Sequence, residues 1–168
     1  CTACPRGYVR AGDDDNATRC TACAAATYVD VAGATKCIDC GPGTASAHAG
    51  RNATCPKCPA GRWQSASRQT ASVACDAGRY VEFTGATECI DCAPGTANPA
   101  VGRPTCTACA KNTIANTSGL RVCTPCAVGS STPGNGSAAC QNCAPGEYGS
   151  RCDACPHGWK RAAADDPA

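Results

Sequence analysis

The sequence predicts a small disulfide-rich fold, an elongated array of short cysteine-rich repeats made of turns and short β-hairpins, with no helices of note. Three observations predict it. The chain carries 19 Cys in 168 residues, a density that marks a disulfide scaffold or a metal array. Most of those cysteines fall in C-x2-C pairs at near-constant spacing. A glycine follows the pairs at a fixed distance, where the chain needs a tight turn.

The composition leaves little else to hold a fold. Eight Val, three Ile, one Leu, one Phe, two Trp and four Tyr make 19 large apolar residues, no more than the cysteines. At roughly 25 cal/mol per Å² of apolar surface, this inventory cannot offset the ordering entropy of the chain. Covalent or metal cross-links must replace the missing core. Charge is uninformative, a net +2 with no long basic or acidic run beyond Asp13-Asp14-Asp15. Asp13-Asp14-Asp15 reads as a solvated loop tip. No apolar stretch approaches the roughly 20 residues of a membrane span, so no direct membrane insertion is expected in this segment. The chain starts at Cys1, inside a repeat, and is read as a segment of a longer precursor.

The repeat is plain once sought. C-x2-C pairs begin at Cys1, Cys20, Cys37, Cys55, Cys89, Cys106, Cys123, Cys140 and Cys152. From Cys55 to Cys140 the register is a strict 17 residues, provided Ser72 stands where a Cys would be. Ser72-Val73-Ala74-Cys75 is then a pair with its first member lost. Three residues after the second Cys sits Gly7, Gly43, Gly61, Gly78, Gly95, Gly129, Gly146 or Gly158, replaced once by Ala26 and once by Asn112. A second glycine lies ten residues after the second Cys, at Gly33, Gly50, Gly85, Gly102, Gly119 and Gly136. Arg68 breaks that series in the repeat that also carries Ser72. Aromatic residues recur just after the first turn, at Tyr8, Tyr28, Trp63, Tyr80, Tyr148 and Trp159. Thr27-Tyr28-Val29-Asp30-Val31 and Arg79-Tyr80-Val81-Glu82-Phe83 alternate as short half-buried strands. Residues 1–142 are therefore tandem repeats of about 17 residues with a diverged unit at 58–75, and 161–168 form a tail or linker.

Disulfides and zinc compete for the pairs. C-x2-C-x13-C-x2-C occurs in zinc modules. Against zinc stand N-glycosylation sequons at Asn16, Asn52, Asn116 and Asn135, which belong to the secretory route. His48 and His157 fall off the cysteine pattern, and the loops lack the recognition helix and clustered Lys/Arg of nucleic-acid fingers. No thioredoxin-like pattern surrounds a pair to make it redox-active. Gly129-Ser130-Ser131-Thr132-Pro133 offers hydroxyls for O-linked sugars.

Two connectivities remain open. The simpler joins the second Cys of each pair to the first of the next: Cys4–Cys20, Cys23–Cys37, Cys40–Cys55, Cys75–Cys89, Cys92–Cys106, Cys109–Cys123, Cys126–Cys140 and Cys143–Cys152. It leaves Cys1 and Cys155 to pair outside the segment and Cys58 without its partner. The other interlaces neighbouring pairs, first to first and second to second. An unpaired Cys58 in an oxidising compartment suggests a bridge between chains. The alternative is local rebridging, for instance with Cys75.

Cys89-Ile90-Asp91-Cys92-Ala93-Pro94-Gly95-Thr96, continuing to Gly102 and Cys106, resembles the ephrin-receptor-like cysteine-rich repeat. Growth-factor-receptor and tumour-necrosis-receptor cysteine-rich modules are similar more distantly. Cys143-Ala144-Pro145-Gly146-Glu147-Tyr148-Gly149-Ser150-Arg151-Cys152 resembles the closing loop of a laminin-type EGF module, so 143–160 is assigned as that loop and the start of a further repeat. That resemblance implies a Cys143–Cys152 bridge. The families imply extracellular proteins that space, adhere or bind other proteins. Similar arrays occur in surface proteins and extracellular fibres of single-celled eukaryotes.

The expected function is a structural or interaction segment of a secreted, glycosylated extracellular filament or cell-surface protein, acting as a disulfide-stapled rod. Its partners are other protein chains, through self-assembly or neighbouring subunits, and N-linked and O-linked glycans. A receptor or adhesion ectodomain presenting a protein-binding face is the alternative, and a zinc-binding array the remote one. Two His and scattered carboxylates give no catalytic constellation, so no enzyme, cofactor, metal or nucleic-acid role is expected. The unit around Arg62, Trp63 and Arg68 is the place to look for a specific contact.

Overall fold

Every described repeat opens on the same turn because the repeat, not the individual residue, imposes its backbone. The computed structural model describes residues 3–10, 19–149 and 151–156. Cys1, the Asp13–Asp15 triplet, Asn16, Gly158, Trp159 and the tail at 161–168 lie outside the described residues. Three residues past the second Cys, φ is positive at Gly61 (79°) and equally at Ala26 (64°) and Asn112 (67°). The second turn, ten residues past the Cys, shows the same sign even at Arg68 (59°). Left-handed backbone costs a non-glycine roughly 1–2 kcal/mol, so these three positions are held there by their neighbours. A hydroxyl closes the first turn in five repeats. Thr27, Thr44, Thr96, Thr113 and Ser130 each donate to the carbonyl three residues back.

From the first turn the chain runs into a hairpin that ends at the next cysteine pair. Among the described residues there are eight two-stranded sheets, with strands paired in chain order. They join Tyr8–Arg10 to Cys20–Ala22, Thr27–Tyr28 to Ile38–Asp39, Arg62–Trp63 to Val73–Ala74 and Arg79–Tyr80 to Ile90–Asp91. Beyond these, Thr96–Ala97 joins Thr107–Ala108, Thr113–Ile114 joins Thr124–Pro125, Ser130–Ser131 joins Gln141–Asn142 and Glu147–Tyr148 joins Asp153–Ala154. The repeat at Cys40 keeps only a single bridge, Thr44 opposite Lys57. No described residue is helical, and no helix is long and apolar enough to cross a membrane.

The expected five-residue alternating strands shrink to two residues each. The reason is a change of hydrogen-bond partner. At the sixth residue after the second Cys, the N–H turns from the hairpin to a later repeat. Val29 donates to Arg51, Gln64 to Ala86 and Asn98 to Leu120. Val29 and Val81 are buried there, while Val31 and Phe83 reach solvent.

The chain divides into two compact units, one of Cys1–Cys75, Val81–Ile90 and Gly102–Pro104, the other of Asp76–Tyr80, Asp91–Val101 and Thr105–Ala168. In the first, the Cys58 N–H donates to Gly43, Gly61 to Val81, and Gly85 to Cys58. The second repeats the same three bonds at shifted register: Cys109 donates to Gly95, Gly95 to Ala115, and Gly136 to Cys109. This ladder satisfies turn groups that would otherwise be buried without partners. It also brings backbones very close. A Cβ on Gly61 would collide with the Gly102 carbonyl in the first unit, as would one on Gly78 with that of Gly119 in the second.

The sixth residue after the second Cys is buried in repeat after repeat. Val29, Ser46, Gln64 and Val81 occupy that position in the first unit, Asn98, Ala115 and Thr132 in the second. The first unit holds an apolar cluster of Cys75, Val81, Ala86 and Cys89, against which Trp63 packs. This in-register aromatic thus packs on a neighbouring disulfide and is half-buried.

Candidate functional site

Eight disulfides are closed: Cys4–Cys20, Cys23–Cys37, Cys40–Cys55, Cys75–Cys89, Cys92–Cys106, Cys109–Cys123, Cys126–Cys140 and Cys143–Cys152. Each runs from the second Cys of a pair to the first of the next. Sixteen sulfurs are thereby committed, and a disulfide sulfur offers no thiolate to zinc. Cys143, Glu147 and Cys152 put ligand-type atoms within 4.8 Å of one another, but the two sulfurs are bonded together and Glu147 accepts the Ala144 N–H. That cluster is a closed loop, not a metal centre.

Cys58 and Cys155 keep free thiols among the described residues. Cys58 is only 2% exposed. Local rebridging to Cys75 does not occur, because Cys75 is bonded to Cys89. Burial also keeps the Cys58 sulfur from another chain unless its loop opens. Desolvation pushes the thiol pKa up, against the pull of a hydrogen bond with Ser72, the backbone and the Arg62 charge. Ser72 therefore sits beside the thiol, in the position of the missing half-cystine.

What closes this loop is a polar network. The Arg62 Nε donates to the Ser72 Oγ at 2.9 Å, and its Nη2 donates to the Ser72 carbonyl. The Gln64 amide donates to the Ala71 carbonyl and accepts the Ala66 N–H. Two side chains, Arg62 and Gln64, thus span the loop where the other repeats have a covalent bond. The sequence pattern singles out Arg62 and Ser72 but passes over Gln64, whose only signal is its place at the buried sixth position. Arg68 keeps the ladder through its N–H, which donates to Cys40 at 2.7 Å, and its guanidinium lies 3.9 Å from Asp39 in solvent. Trp63 pairs with Val73 across its hairpin and packs in ordinary register.

A cleft of about 300 Å³ opens over this network. Lys57, Cys58, Arg62, Thr70 and Ser72 line it, with Pro56 and Pro59 on its apolar wall. No carboxylate lines it among the described residues.

The sequon residues Asn52, Asn116 and Asn135 are exposed, and Asn16 lies outside the described residues. The Asn135 Oδ1 accepts the Lys111 N–H at 2.8 Å, which leaves its side-chain nitrogen for a glycan. The proposed O-glycan stretch fares differently. Thr132 is 1% exposed, accepting the Asn112 N–H and donating to Gly134, and Ser130 is buried and donates to Ala127. Both hydroxyls are spent on structure.

These features define a disulfide-stapled array of cysteine-rich repeats, of the kind found in extracellular receptor-like or structural modules. A family model described as tyrosine-protein kinase ephrin type A/B receptor-like matches residues 12–52, about a quarter of the chain. It describes a receptor-like cysteine-rich domain, not an enzymatic one. The remaining repeats carry the same cysteine and glycine pattern. A search of curated proteins finds no match.

Proposed function

We propose that the chain is a structural segment of a secreted, glycosylated extracellular filament or cell-surface protein, that other protein chains and glycans are its partners, and that it is not an enzyme. The observation that carries this reading is the ladder. In each unit the turn N–H groups and the second cysteines bond to neighbouring repeats, so the recurring chemistry of the repeat is spent on stacking. Such an array gains stability from each added repeat and suits a protein built by repetition. N-linked sugars on Asn52, Asn116 and Asn135 would cover exposed turns without touching the ladder, and Asn16 is proposed with them.

A receptor or adhesion ectodomain is the second reading, favoured by the receptor-like family model at residues 12–52. Negative-stain imaging of the native assembly separates the two. Filaments containing this chain support the structural reading, and isolated molecules on a membrane stalk overturn it. Treatment with an Asn-glycan-specific amidase should lower the mass of the secreted chain and convert occupied sites to Asp.

A further inference from the structure

We propose that the cleft over the broken repeat is a binding site for an anionic saccharide, one bearing sulfate or carboxylate groups. Loss of the half-cystine at Ser72 is what makes it. In the intact repeats the same place holds a disulfide. Here it holds a hydroxyl, a guanidinium and space.

The lining has the chemistry of an acidic sugar site. Lys57 and Arg62 bring two positive charges to one cleft, and neither has a carboxylate partner among the described residues. Two cations placed together without an anion repel each other, and an anionic ligand relieves that repulsion. Arg62 is held in place by its two bonds to Ser72, which use two of its five N–H donors and leave the others for a ligand. A fixed guanidinium loses little freedom on binding, which favours bidentate contact with sulfate or carboxylate. Thr70 adds a hydroxyl of the kind that bonds sugar hydroxyls, while Pro56, Pro59, Ala45 and Ala71 offer C–H surface to a ring face. The volume of about 300 Å³ lies at the small end of ligand clefts and suits one or two sugar rings. The site stands whether the whole protein is a filament or a receptor.

The test uses the intact secreted chain and three oligosaccharides of equal length: a sulfated one, a uronate-containing one without sulfate, and a neutral one. Calorimetric titration should show binding of one or both acidic oligosaccharides and none of the neutral one, and the two acidic arms identify the anion. Lys57→Ser should weaken binding about tenfold, the usual loss for one charge-assisted contact. Arg121→Gln, at an exposed site outside the cleft, should leave it unchanged. Ser72→Cys, which joins the sulfurs across the cleft, should abolish binding in a folded protein. Equal losses for Lys57→Ser and Arg121→Gln would mean unspecific charge attraction and overturn the proposal. So would undiminished binding by oxidised Ser72→Cys, or binding of no acidic saccharide.

Discussion

Replacing Ser72 with Cys should complete a ninth disulfide, between the introduced sulfur and Cys58. Its ring would span 14 positions (72 − 58), the same separation as in Cys75–Cys89, Cys92–Cys106, Cys109–Cys123 and Cys126–Cys140. Ser72 lies beside the Cys58 thiol, so the new sulfur starts within reach of it. Closing a loop of this length restricts the unfolded chain by about 3 kcal/mol. The substitution also removes the acceptor of the Arg62 Nε bond, which gives back about 1 kcal/mol, whereas the bond from Nη2 to the carbonyl survives. The net gain is about 2 kcal/mol, or roughly a 30-fold slowing of amide exchange that proceeds through opening of this loop. Hydrogen exchange followed by mass spectrometry on peptides covering 59–71 reads that change, and peptide mapping without reduction reads the bond. If the introduced thiol stays reduced, pairs with a cysteine other than Cys58, or leaves exchange in 59–71 unaltered, then Ser72 does not occupy a vacant half-cystine position and the reading of the broken repeat fails.

Other consequences follow from burial and backbone geometry. Cys58 should alkylate far more slowly than Cys155 in the folded protein, and a mass-resolved time course with iodoacetamide measures the ratio. Its folded pKa lies above the unfolded one, so its stabilising contribution is complete below the unfolded value and is lost as pH rises through the folded value. Denaturant melts should therefore weaken above about pH 9 in the wild type and less so in Cys58→Ala. Gly61→Ala puts a Cβ into the Gly102 carbonyl at positive φ and should block secretion of folded protein, whereas Gly146→Ala meets no atom within 4 Å and should cost only about 1–2 kcal/mol of backbone strain. Val81→Ala should cost about 2 kcal/mol in a urea melt, and Phe83→Ala, on the solvent side of the same hairpin, less than about 0.5 kcal/mol.

The register was legible because its residues each meet a requirement that few others can. A cysteine is needed for each bridge, and glycine fits a left-handed turn at no steric cost. For the same reason the defect at Ser72 and Arg68 could be read from spacing alone. The buried sixth position was not legible. Val29, Ser46, Gln64, Val81, Asn98, Ala115 and Thr132 share neither polarity nor size, and only their burial unites them. Hydroxyl closure of the turn by Thr27 or Thr96 carries no sequence signal of its own, since Thr in a short strand is ordinary. Contacts between repeats hid for another reason. The Gly61 approach to Gly102 joins residues 41 positions apart (102 − 61), and no local pattern encodes it. Gln64 belongs to both groups, being a core residue by position and a loop clamp by chemistry.

The fold depends on one pattern of bridges, from the second cysteine of each pair to the first of the next, with Cys58 left as a thiol by the loss at position 72. Disulfide mapping of the native protein tests it most directly, by proteolysis at acidic pH without reduction and mass spectrometry of the linked peptides. We expect Cys4–Cys20 through Cys143–Cys152 as the eight linked pairs and a thiol-bearing peptide at Cys58. Peptides linking first cysteine to first, such as Cys20 with Cys37, or an intrachain bridge at Cys58, would contradict it.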